Sequence, residues 1–207
     1  MASALRNAQS KGWFFNMQIN TVIIEGSGKH CHLKRSTVDK LFGEGFELEK
    51  KKDLSQPGQY ATPHRITVQG PRGSTQMTIL GPERKADQVE LSLTDQRSLG
   101  IAAPVRESGD LAGSPGCKLI GPNGEIDISE GVIIAKRHIH FTPEDAERLG
   151  VKDKQIVKVK VGGERALVFD EVVARVRSDF ATYMHLDYDE CNAAALSGPE
   201  SIGELIV

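Results

Sequence analysis

Apolar residues recur along the chain in short runs. Arg65-Ile66-Thr67-Val68 alternates ahead of Gly70-Pro71, Met77-Thr78-Ile79-Leu80 ahead of Gly81-Pro82, and Gln155 to Val161 ahead of Gly162-Gly163. Alternation with period two puts successive side chains on opposite faces of a strand, and the Gly and Pro pairs end each run in a turn. Thr21-Val22-Ile23-Ile24 and Gly131-Val132-Ile133-Ile134 are apolar runs that read as further strands. Short helices are expected through Val38, Leu41 and Phe42, and from Thr142 to Leu149. Thr142 is a good N-cap there, with Pro143 at the first helical position. The pattern predicts a mainly β protein with short helices, made of two small related barrels or sandwiches rather than a parallel α/β sheet.

The two apolar runs open an internal repeat. The first leads into Gly28-Lys29-His30-Cys31-His32-Leu33 and a helix; the second leads into Lys136-Arg137-His138-Ile139-His140-Phe141 and a helix. Each copy reads strand, basic residue, His-x-His, helix. Further on, Gln88-Val89-Glu90-Leu91-Ser92-Leu93-Thr94-Asp95 aligns with Tyr183-Met184-His185-Leu186-Asp187-Tyr188-Asp189-Glu190, which sets Glu90 opposite His185.

Five of the six histidines fall in these landmarks. Residues i and i+2 of an extended chain point the same way, so His-x-His offers two imidazoles to one divalent metal. The repeat supplies a third donor in register. One site is expected from His30, His32 and Glu90, the other from His138, His140 and His185. Three protein ligands leave coordination open for substrate or water, the catalytic pattern, and mixed imidazole and carboxylate suits zinc, with cobalt, nickel and iron as alternatives. His64 lies outside the pattern and reads as a surface or satisfied structural histidine.

Composition narrows the partners. With 207 residues, 39% apolar and 26% charged, the chain can bury a real core. A formal net charge of -2 provides no basic field for nucleic acid. No stretch approaches the roughly 20 apolar residues of a membrane span. Three scattered cysteines without a CxxC fit a reducing cytoplasm better than a disulfide framework. Met1 to Asn16 has no secretory pattern. Trp13, Phe14 and Phe15 make it either a short docking helix or a stretch ahead of an internal start at Met17.

Several strings together resemble the PduL-type phosphotransacylases, the phosphate propanoyltransferases of propanediol utilisation, over about residues 20 to 207. They are Lys51 to Tyr60 (KKDLSQPGQY), Leu80-Gly81-Pro82, Gln88-Val89-Glu90, Thr94-Asp95, Leu99-Gly100-Ile101, Arg137-His138-Ile139-His140 and Met184-His185. The resemblance implies two small β-barrels with a two-zinc site between them, the first strand completing the barrel built mainly from the C-terminal half. The implied division is an extension at 1–16, one barrel from 17–45 plus 132–207, and a second from 46–131. It implies zinc at His30, His32 and Glu90, and at His138, His140 and His185. Arg84 would face phosphate, and Ser27, Lys51, Leu80 and Asn192 would line coenzyme A. On spacing alone Arg84 reads as an ion pair with Glu83 or Asp87. Lys29 stands where the family usually has Arg, and Thr78 where a basic residue often meets the nucleotide.

The implied reaction moves a short acyl group, propanoyl or acetyl, between coenzyme A and phosphate. No Cys-His spacing argues for an acyl-enzyme, so direct transfer is expected. A metallohydrolase acting on acyl-CoA and a degenerate binding module for metal or coenzyme A are the rival readings. The expected setting is the cytoplasm or a bacterial microcompartment, the latter if residues 1–16 dock to shell or cargo; a homo-oligomer is compatible with either.

Overall fold

The computed structural model describes residues 20–196, 198 and 201–207. The docking helix expected within residues 1–16 lies outside them. Two barrel-like units make up the fold. The first is a closed barrel of β1 (Thr21–Ser27), β11 (His138–Phe141), β12 (Ile156–Val161), β13 (Leu167–Val176), β14 (Tyr183–Asp187) and β15 (Ser201–Ile206), in the order β1-β14-β11-β13-β12-β15. β12 shows why such runs become strands: its residues alternate exposed and buried along IVKVKV, with Val157, Val159 and Val161 facing inward. The barrel is tightly filled, since a Cβ at Gly203 would come within 2.3 Å of Val159 Cγ1.

The second unit is a nine-stranded open sheet. Its strands are β2 (His30–His32), β3 (Lys52–Asp53), β4 (Tyr60–Gln69), β5 (Ser74–Gly81), β6 (Gln88–Glu90), β7 (Val105–Arg106), β8 (Cys117–Ile120), β9 (Glu125–Ile128) and β10 (Val132–Ala135). They run in the order β7-β10-β6-β2-β5-β4-β8-β9, with β3 paired to β4. A helix, α1 (Arg35–Phe42), packs Val38, Leu41 and Phe42 onto this sheet's core beside Met77, Ile79 and Val89. Each large, fully buried side chain here contributes about 1.5–3 kcal/mol.

Sheet membership changes hands at residues 28–29 and again at 136–137. β2, α1 and β10 therefore belong with the open sheet, where the grouping 17–45 plus 132–207 would have set them with the barrel. The repeat explains the crossing. β1 pairs in parallel with β14, and its counterpart β10 pairs in parallel with β6. Each copy thus lends its leading strand to the other copy's sheet.

Helix caps finish the strands that carry the third donors. After β6, Ser92 and Asp95 form a capping box at the start of α2 (Leu93–Leu99). After β14, Asp187 and Glu190 form the matching box at the start of α4 (Tyr188–Ala193). Between them in sequence, α3 (Pro143–Leu149) starts at Thr142, whose side chain accepts from Asp145 N, with Pro143 in the first turn as the sequence predicts. Among the described residues, no helix is long and apolar enough to cross a membrane.

Candidate active site

The repeat is literal in the strand ladders. β2 and β6 pair antiparallel with His30 opposite Glu90, and β11 and β14 pair antiparallel with His138 opposite His185. Within each triplet, His30, His32 and Glu90 or His138, His140 and His185, the donor atoms lie within 4.8 Å of one another. His30 Nε2 is 3.5 Å from Glu90 Oε2. In the second triplet the ring centroids are 4.6 to 5.3 Å apart.

Both triplets are oriented in the same way. The leading histidine of each pair holds a backbone carbonyl two residues earlier: His30 Nδ1 lies 2.8 Å from Gly28 O, and His138 Nδ1 lies 2.8 Å from Lys136 O. Donation to that carbonyl leaves Nε2 with its lone pair directed inward, the usual means of aiming a ligating imidazole. The second histidine of each pair has a buried Nδ1 with no hydrogen-bond partner, at His32 and at His140. Buried nitrogens are normally satisfied, and here, unlike elsewhere, two further donor groups lie beside each orphan, an arrangement that fits a cation.

The electrostatics match ligands ready to bind. Burial, reinforced by the charges of neighbouring histidines, pushes His140 down to about 2 and His185 to about 3. Burial likewise lowers His32 and His138. All four are therefore neutral at physiological pH. Burial opposes charge on Glu90, yet the adjacent His30 holds its carboxyl well below the usual range. His30 feels the reciprocal effect: burial works against it, but Glu90 raises it.

Both triplets open on one cleft of about 860 Å³ between the units. Ser27, Leu80 and Arg84 line it. The ion pairs that spacing suggested for Arg84 do not form. Glu83 binds Arg35 at 2.6 Å, and Asp87 is held by Lys34 and by the Thr37 hydroxyl at 2.8 Å. Arg84 instead donates to Ser108 Oγ at 3.3 Å. Lys51 and Asn192 are exposed and do not line the cleft, so the structure does not bring them to the triplets.

Other residues settle simply. Cys31 is fully buried between its two histidines, with Sγ toward Thr78 O at 3.7 Å, the packing role expected. Lys29 pairs with Asp95 at 2.7 Å. His64 is wedged against Phe42 and Phe46, and its buried Nε2 has no partner; packing holds it, not the satisfied hydrogen bonding expected.

Four residues that the motifs did not flag also surround the triplets. Glu25 lies opposite His185 across β1 and β14, with its Oε2 accepting from Ser55 Oγ at 2.5 Å. Gln56 is buried, donates to Ala181 O at 3.0 Å and accepts from Ala181 N at 3.3 Å, clasping the barrel from the open unit. Phe180 packs on His140 at 4.0 Å between ring centroids. Arg175 sits across from His140 on β13. Only Gln56 lay within a quoted string; Arg175 in an alternating strand looks like any outward-facing residue.

Comparison with known proteins places these features. The phosphate propanoyltransferase family profile matches residues 23–197. A phosphate propanoyltransferase of Enterococcus faecalis is 56% identical over 181 residues, covering 87% of this chain and 86% of the relative. One from Listeria monocytogenes is 57% identical over 173 residues, 83% and 81% of the two chains. One from Thermotoga maritima is 54% identical over 178 residues, 85% of each.

Proposed function

The chain belongs to the phosphate propanoyltransferase family, and from that premise we propose that it moves a propanoyl or acetyl group directly between coenzyme A and phosphate at a two-zinc site. The observation that carries this is the pair of matched three-donor triplets facing one cleft beside Arg84.

The triplets would each hold one metal, the first through His30, His32 and Glu90 and the second through His138, His140 and His185. Imidazole with a single carboxylate suits zinc. Bound metal supplies Lewis acidity, which favours negative charge on the thioester oxygen and on the departing sulfur. The chain's own residues do the rest. Arg84 presents a planar fork that can hold two phosphate oxygens. An oxygen of that phosphate forms the new bond to the thioester carbonyl carbon as the carbon–sulfur bond breaks, and the sulfur leaves with the bonding pair as thiolate. Ser27 and Leu80 line the coenzyme A end of the cleft, with exposed Lys51 and Asn192 meeting the charged nucleotide portion outside it. Holding both substrates together supplies much of the acceleration.

The thiols support a direct route. Burial pushes Cys117 up to about 12 and Cys191 to about 11, and raises Cys31 further, so none offers a thiolate nucleophile near neutral pH.

The test is release of free thiol from propanoyl-CoA and acetyl-CoA by zinc-loaded protein, with and without phosphate and chelator. Release that needs phosphate and stops with chelator is expected. Release without phosphate would make the protein a hydrolase, and no release from fully loaded protein would leave only a binding role.

A further inference from the structure

Arg84 has an unused counterpart across the cleft. Arg175 extends from β13 of the barrel, its side chain 18% exposed, and lines the same cleft. It differs from its neighbour Arg177, which Asp179 neutralises through two hydrogen bonds of 2.9 and 2.5 Å. Among the described residues, the only carboxylate within ion-pair reach of Arg175 is Glu107 at 3.9 Å, and Glu107 is already bound by Lys154 at 2.5 Å. One face of Phe180 lies 5.6 Å from the Arg175 guanidinium, which fixes its direction without neutralising it.

Two adjacent residues stand between the arginines. Ser108 touches Arg84, and Glu107 reaches toward Arg175. Burial lowers both guanidiniums from their ordinary value; the charge of Arg175 adds to this at Arg84 and that of Arg177 at Arg175, while Glu90 favours the charge of each and Glu107 that of Arg175. Two guanidiniums from separate units that line one cleft, neither hydrogen-bonded to a carboxylate among the described residues, are an arrangement that an anion between them completes.

The repeat adds an independent observation. β2 pairs in parallel with β5 as β11 pairs with β13, His30 opposite Thr78 and His138 opposite Val173. Two residues on, that register sets Leu80 beside His32, and Arg175 lies opposite His140. One structural position has become apolar in the first copy and cationic in the second.

We propose that Arg175 is the second arm of the phosphate site, gripping inorganic phosphate, and the phosphate end of the acyl phosphate, from the barrel side while Arg84 holds it from the open sheet. This rests on the phosphotransacylase reading above. The anion then ties the two units together whenever the site is filled.

The experiment compares zinc-loaded wild type with Arg175→Gln, Arg175→Lys and Glu107→Gln. Thiol release is followed at saturating propanoyl-CoA with phosphate varied, alongside metal content and the rise in melting temperature that inorganic phosphate produces. Arg175→Gln is expected to keep both metals and its response to coenzyme A, to lose most of the phosphate-induced rise, and to raise the phosphate KM by roughly ten- to hundredfold, the scale of a lost hydrogen bond to a charged group. Arg175→Lys recovers part of this, because a point charge replaces the fork. Glu107→Gln leaves the phosphate KM near wild type. An unchanged phosphate KM and melting response in Arg175→Gln would overturn the proposal. So would loss of a metal equivalent from that variant, or a Glu107→Gln protein with the same defect, since either makes Arg175 a structural prop. Failure of the parent reading is seen separately, in wild-type protein that releases thiol without phosphate.

Discussion

Lowering the pH should destabilise the metal-free protein through its own ligands. His140 and His185 are held near 2 and 3 by burial, against an ordinary value of 6.5. Their folded-state affinity for protons is depressed, so below 6.5 the unfolded chain binds protons that the folded chain refuses, and stability falls with pH. At pH 5.5, one unit below the unfolded value, each such histidine costs on the order of 1 kcal/mol; at pH 7.5 the cost is close to nothing. The pair therefore removes roughly 2–3 kcal/mol over that interval, which is a fall of roughly 5–10 °C in Tm for a domain of this size. His32 and His138 push the same way, and His30, whose affinity for protons is raised, pushes against them. Glu90 contributes little in this window because both its folded and unfolded forms are ionised above pH 5.5. The assay is urea unfolding of chelated protein, followed by circular dichroism at the two pH values, beside a His140→Asn/His185→Gln double variant. The variant should lose most of the pH dependence. A wild-type midpoint unmoved between the two pH values, or a double variant that keeps the full slope, would refute the account.

Three further outcomes follow from single contacts. On the proposed two-metal reading, Glu90→Gln should lose one of two metal equivalents on elemental analysis while the three-histidine site keeps its own, because the amide is a neutral and poorer ligand than the carboxylate. Gly203→Val should cost about 1–3 kcal/mol in urea unfolding with metal content unchanged, since its Cβ alone would press within 2.3 Å of Val159 Cγ1 inside the barrel. A protein with Cys31, Cys117 and Cys191 all replaced by Ala should keep most of its turnover; if turnover vanishes while metal stays bound, transfer is covalent and the direct route is wrong.

The triplets were legible because each lies within a local pattern. His-x-His needs only the two-residue period of a strand, and the aligned second landmark supplies Glu90 and His185, which the ladders set opposite His30 and His138. The strand exchange was not legible from the residues themselves. Thr21-Val22-Ile23-Ile24 and Gly131-Val132-Ile133-Ile134 have the same apolar character, and nothing in that character says which sheet each will join. Arg84 shows the same limit: its spacing to Glu83 and Asp87 is right for ion pairs, but α1 brings Arg35 and Thr37 to those carboxylates instead. Partners supplied by distant elements are invisible to local spacing.

The exchange also accounts for why two sites become one cleft. Had each copy folded on itself, each His-x-His would follow a strand of its own sheet and the two triplets could lie anywhere relative to one another. Instead Gly28-Lys29 and Lys136-Arg137 are both crossings between the units, and a His-x-His begins immediately after each. The triplets are therefore confined to the seam. The seam is closed by groups that reach across it, Ser55 to Glu25, Gln56 to Ala181 and Lys154 to Glu107. Arg84 and Arg175 arrive from opposite sides of the same boundary. A duplicated binding unit that swaps its leading strand thus gains a paired site with unlike ends, and unlike ends are what a transfer between two chemically different acceptors requires.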